Sequence, residues 1–188
     1  MKTLIIAGSA REHSNSGIIA SIVDEVLQNS REETMYFDLS VHTLPIFSGT
    51  VSEETHPDIQ LLRSYAAKAD GIIICTPEYH SSISGALKNA LDFLGPGQFE
   101  GKATAILAAA GGGKGGINAL NTLRLILRSL HAEVLSDQLV VDAGRINPRK
   151  GTIDPQLQQR LEQLLQQYMK WIEIYKRLNN KSENKIMK

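Results

Sequence analysis

The sequence is poor in several features, and each scarcity narrows what the chain can be. It has one cysteine, Cys75, among 188 residues, which leaves no partner for an internal disulfide and no cysteine pair for a metal site. The reading is a protein of a reducing compartment, cytoplasmic. Lys plus Arg equals Asp plus Glu at 20 each, so the basic surface of a nucleic-acid binder or a polybasic membrane protein is missing. A small-molecule partner is expected, with no nucleic acid and no membrane. No apolar run reaches the ~18 residues of a membrane span, and the apolar run in the opening "MKTLIIAGSA" is shorter than the roughly 7–15 residues of a signal core. No second histidine, cysteine or carboxylate stands at metal-ligand spacing from His80, so no metal is expected.

Two nucleotide motifs are also missing. The turn "GSAREHSNSG" lacks G-x-G-x-x-G, although Asp38, read as a turn or capping residue, imitates the ribose-binding acid of a dinucleotide fold. In "AAAGGGKGG" the pair Gly113-Lys114 is followed by Gly115 rather than Ser or Thr, and Ala108 stands where a P-loop needs its first glycine.

What is present is an alternation of strands and helices. Apolar residues make up 42% of the chain, enough for one core. The runs at 3–8, 71–76 and 103–110 are continuous, as in strands covered on both faces, and 133–143 and the less apolar 34–39 supply two more. Helical periodicity fills 16–29, 57–68, 84–94, 117–131 and 155–178. Right-handed crossovers then predict an α/β three-layer sandwich, a five-stranded parallel sheet in the flavodoxin-like order 2-1-3-4-5 with helices on both faces. One domain is expected over 1–178, a loose surface loop over 40–56, and a disordered polar tail over 179–188.

In such a sheet the turns after the first, third and fourth strands open on one edge and converge on one ligand. The first offers Ser9, Ser14 and Ser16 as hydroxyls, Asn15, and Arg11 as a cation, with a helix start behind them. A helix N-terminus favours an anion, and donors from several directions suit a terminal monophosphate. Ser14 or Ser16 acting as a plain helix cap is the alternative. In the second turn Thr76-Pro77 ends the strand, and Glu78, Tyr79 and His80 follow at the edge, before Ser84 as a possible cap. The third turn, Ala109, Ala110, Gly111 and Gly112 onward, lets backbone come close to a flat ring, or else is a flexible loop.

At these residues the chain resembles the NADPH-dependent FMN reductase family. "GSAREHSNS" fits its first motif with Ser16 in place of a final Asn, and "TPEYHSSISGALKNALD" fits its second almost throughout, with His80 for the usual Asn. "AAAGGGKGG" fits the third without the hydroxyl often found near Ala109, and "GGGKGGINALN" is similar to the azobenzene-reductase type. The resemblance implies that Ser9, Arg11, Ser14, Asn15 and Ser16 hold an FMN phosphate, that Pro77, Glu78, Tyr79 and His80 line the isoalloxazine, and that Ala109 to Gly112 border its pyrimidine end. It implies hydride transfer from NADPH, or NADH, through FMN to a small acceptor such as an azo compound or quinone. No side-chain catalyst is nominated, because the flavin performs the chemistry. A homodimer or homotetramer packed through "SGALKNALDFLG" is implied as well. A flavodoxin-type electron carrier and a flavin reductase serving a monooxygenase are the alternatives; carriers of that type are usually acidic, and this chain is neutral.

Overall fold

The computed structural model describes residues 1–50, 53, 55–111 and 115–186, with side chains as far as Asn179. Elements follow in the order β1 (Lys2–Ala7), α1 (Asn15–Asn29), β2 (Glu33–Asp38), α2 (Pro57–Lys68), β3 (Gly71–Pro77), α3 (Gly85–Asp92) and α4 (Pro96–Phe99). Then come β4 (Ala103–Ala110), α5 (Ile117–Ser129), β5 (Glu133–Val134), β6 (Leu139–Asp142), β7 (Ile146–Asn147), β8 (Thr152–Ile153) and α6 (Pro155–Ile186).

The sheet is parallel in the order β2-β1-β3-β4-β5, with β6 also on β4. Side-chain parity divides its core. On one face Ile5, Ala7, Ile73, Cys75, Ala105 and Leu107 pack under Ile19, Val23 and Leu27 of α1 and Leu161, Leu165 and Tyr168 of α6. On the other, Leu4, Ile6, Ile72, Ile74, Ile106 and Ala108 meet Leu62 of α2, Leu87 and Leu91 of α3, and Leu120, Leu123 and Leu127 of α5. Both faces of β3 and β4 are therefore buried, which is why their sequences run apolar without alternation. Burying each Leu or Ile contributes about 1.5–3 kcal/mol.

The fifth strand differs from the expected continuous 133–143. It is two short pieces, β5 and β6, each paired with β4, and the chain leaves the sheet between them. Ser136 and Asp137 favour turns over extended pairing. Arg124 of α5 takes up the freed carbonyls: Nη2 donates to Leu135 O at 2.7 Å and Ser136 O at 3.0 Å, and Nε to Gln138 Oε1 at 2.8 Å. After β6 a small antiparallel ribbon, β7 with β8, was not legible as strands because each is two residues long. The last helix also differs from expectation, since α6 continues to Ile186 into the polar stretch read as a tail. Helix propagation adds one bond per residue once a packed turn exists, so polar residues extend it without a core.

The 40–56 connection is anchored over much of its length. Asn89 of α3 donates from Nδ2 to Pro45 O and accepts from Phe47 N, each at 2.8 Å, and Phe47 lies edge-on to Phe93 at 5.3 Å. The Glu53 carboxylate accepts from Ser48 N at 2.7 Å and from the Ser48 hydroxyl, whose bond holds its pKa below the ordinary value.

Candidate cofactor site

The first loop is built on a close approach. Gly8 N donates to Cys75 O at 2.8 Å, and a Cβ at Gly8 would lie 2.9 Å from that oxygen and 3.0 Å from Leu87 Cδ2. Only glycine lets β1 leave the sheet there. The Ser84 hydroxyl then donates to Gly8 O while accepting from Leu87 N at 3.0 Å, so one serine caps α3 and pins the first loop to the second.

Beyond Gly8 the three serines of the loop are all buried. Ser9, Ser14 and Ser16 are 1%, 4% and 0% exposed, and Ser14 and Ser16 place their hydroxyls 3.3 Å apart. Ser14 is the α1 cap, accepting from Gly17 N at 3.1 Å, so the capping role falls to Ser14 and not to Ser16. The amides of Asn15 and Ser16, in the first helical turn, have no intrahelical acceptor. Arg11 is exposed above them, and among the described residues no ion pair takes its guanidinium. Ser9 accepts from Arg11 N at 3.2 Å and lies 3.4 Å from the Tyr79 hydroxyl, joining this loop to the second.

A concavity of about 430 Å³ adjoins the loop, lined by Arg11, Ser14, Gly17, Ser21, Tyr36, Asp38 and Gly151 among others. Sequence reasoning found Arg11 and Ser14 but missed the rest, which the fold brings in from α1, the end of β2 and the β7–β8 ribbon. Tyr36 donates to Gly17 O at 3.3 Å, and burial pushes its phenol up to about 12, so it is a neutral donor here. Asp38 accepts from Ser40 N at 2.8 Å, the turn-capping role read from the sequence.

The second loop begins where Glu78 N donates to Ala109 O at 3.0 Å, carrying β3–β4 pairing one residue past Pro77. Tyr79 and Ser82 then exchange backbone bonds at 2.9 and 3.0 Å across His80 and Ser81, whose φ values are 50° and 63°. Two successive left-handed residues make a turn that Asn and Gly favour. Histidine is among the residues that tolerate this conformation, which explains how His80 stands where the resembling family has Asn. Tyr79 remains 41% exposed.

The third loop leaves β4 at Ala109 and Ala110, both buried, and reaches Gly111, where an added Cβ would meet nothing within 4 Å among the described residues. Gly112 lies outside the described residues. The Glu78 side chain reaches α5, where its Oε2 accepts from Ala119 N at 3.1 Å. Cys75 offers no nucleophile, being buried with its thiol pKa pushed up by that burial. Among the described residues no group of three His, Cys, Asp or Glu is placed to hold a metal, and no helix is long and apolar enough to cross a membrane.

The donor set fits FMN. Buried hydroxyls, free first-turn amides and an unpaired guanidinium suit a phosphate dianion, while Tyr79 and the open space over Gly111 suit a planar ring.

Comparison with known proteins places the same chemistry on related chains. Residues 1–145 match the family model described as NADPH-dependent FMN reductase. An NADPH azoreductase from Bacillus sp. (strain OY1-2) is 32% identical over 176 residues, covering 94% of this chain and 95% of that protein. An FMN-dependent NADPH-azoreductase from Staphylococcus aureus (strain USA300) is 39% identical over 137 residues, 69% of this chain and 71% of that one. In fold, the flavoenzyme NAD(P)H:(acceptor) oxidoreductase FerB from Paracoccus denitrificans superposes with a TM-score of 0.78 at 20% identity, over 93% of this chain and 98% of that one.

Proposed function

The chain belongs to the NADPH-dependent FMN reductase family and is an FMN-dependent NAD(P)H oxidoreductase, and we propose that it reduces small acceptors, azo compounds or quinones, in the cytoplasm. The observation that carries the site assignment is three buried hydroxyls in one loop that also carries the exposed Arg11: Ser14 and Ser16 stand 3.3 Å apart, and Ser9 accepts from Arg11 N and lies beside the Tyr79 hydroxyl. Ser9, Arg11, Ser16 and the amides of Asn15 and Ser16 hold the phosphate, with Ser14 fixing the helix start that presents them. Pro77, Tyr79 and His80, with Ala109 to Gly111, line the ring. Bound FMN supplies the hydride-accepting and hydride-donating chemistry. The protein's part is to orient: these loops would hold the flavin at the edge of the sheet, where it would exchange hydride with a nicotinamide donor and a small acceptor.

The azo assignment draws on the names of the two azoreductase relatives. The exposed Ile46 and Phe47 lie beside α3, where Asn89 holds their loop. This apolar stretch supports a homodimer or homotetramer; sedimentation at micromolar concentration reads it, and a fully active monomer would exclude it.

The purified protein is expected to be yellow with one FMN per chain, to bleach under NADPH without oxygen, and to reduce an azo dye with no protein partner present. A colourless protein that takes up no FMN on titration overturns the reading. Bleaching that needs an added redox protein would point to an electron carrier instead.

A further inference from the structure

Three helices begin behind the three loops, and they are capped differently. α1 and α3 use serines of their own loops, Ser14 and Ser84. α5 has Gly116 at its cap and no side-chain bond there. Its acceptor comes from 41 positions away, where Glu78 Oε2 takes the Ala119 N–H at 3.1 Å. The Glu78 backbone N–H meanwhile donates to Ala109 O at 3.0 Å. One residue of the second loop therefore grips both ends of the third, at the last residues of β4 and at the first turn of α5.

We propose that Glu78 is a positioning residue for the ring end of the site: through its backbone and its carboxylate it holds the β4–α5 connection in register with Tyr79, without itself contacting the flavin. This rests on the FMN reading above. A helix start left without an acceptor frays, and here that first turn follows Gly115 and Gly116 on the same connection that leaves β4 at Ala110. The neighbouring Tyr79–Ser82 turn adds stiffness on the other side, because its two left-handed residues have little freedom to rearrange. What the role requires is reach rather than charge. Aspartate keeps the charge but draws the oxygen back by one methylene, out of range of Ala119 N; glutamine keeps an oxygen at the same reach without the charge.

The test compares E78D and E78Q in the full-length chain, each titrated with FMN and with riboflavin while the spectrum of the bound flavin is recorded. E78D is expected to bind both flavins more weakly by the same factor, on the order of tenfold, with a shifted visible band; E78Q is expected to stay within about threefold of wild type with an unshifted band. Equal losses in E78D and E78Q, no loss in either, or a loss for FMN that spares riboflavin would each overturn the role. Should E78D fail to fold, amide exchange in the wild-type chain decides: the Ala119 N–H is expected to slow on FMN binding, and an unchanged rate overturns the proposal. Wild-type protein that binds neither flavin would remove the FMN reading itself, whereas intact wild-type binding with any of the overturning outcomes removes the Glu78 role alone.

Discussion

Replacing Arg11 with alanine is expected to weaken FMN binding roughly ten- to a hundredfold and to leave riboflavin binding almost unchanged. A charge-assisted bond to phosphate is worth about 1.5–3 kcal/mol, and riboflavin has no phosphate to lose it. Arg11 is exposed and makes no ion pair among the described residues, so the apoprotein's melting temperature should hardly move. Removing the Ser14 hydroxyl should behave in the opposite way, costing about 1 kcal/mol of stability through the lost bond to Gly17 N. Isothermal titration with the two flavins, beside thermal melts of the apoproteins, reads both effects. FMN affinity unchanged in the arginine variant would count against the phosphate role of this loop.

The largest stability loss is expected at Tyr168. It is fully buried among the residues that join α6 to the sheet, and its hydroxyl donates to Thr3 Oγ1 at 3.2 Å. Burial also pushes the phenol pKa up, so it is the neutral donor that the bond needs. Tyr168→Ala removes a large aromatic side chain from a close-packed interior, a loss of about 3–5 kcal/mol that lowers Tm by roughly 6–20 °C. Tyr168→Phe removes the hydroxyl alone and should cost about 1 kcal/mol. Denaturant melts separate the two; a Tyr168→Ala variant within 1 kcal/mol of wild type would show that α6 contributes little to this core. The family match ends at residue 145, ten residues before α6 begins at Pro155, so the experiment also measures how far the matched portion depends on a helix outside it.

The sheet order was legible because continuous apolar runs and helical spacing leave few parallel arrangements, and the structure has that order. The interruption of the fifth strand was not legible, because "EVLSDQLVVD" differs from a plain strand only at Ser136 and Asp137, and the carbonyls between β5 and β6 are satisfied by Arg124, more than ten residues away. At the site, Ser9, Arg11, Ser14 and Tyr79 could be placed from motif and topology together, and the structure brings them to one edge. The direction of the Glu78 side chain could not. Its partner is a backbone N–H, which every residue but proline carries, so no residue type in the sequence marks it. The positive φ of His80 was equally silent, since histidine is a common surface residue as well as a tolerated left-handed one.

The broken fifth strand bears on how the molecule behaves in crowded solution. The outer strand of an open sheet is a row of unpaired peptide groups, a template on which a second chain can add itself. Here that row is cut after two residues, and the carbonyls in the gap already belong to a guanidinium reaching over from the helix behind. Growth along this border would have to displace Arg124 and straighten Leu135–Gln138 before a first new rung could form. The same irregularity that hid the strand from sequence inspection thus works as a gatekeeper against chain-to-chain polymerisation, leaving stickiness to the apolar loop on the far side of the fold.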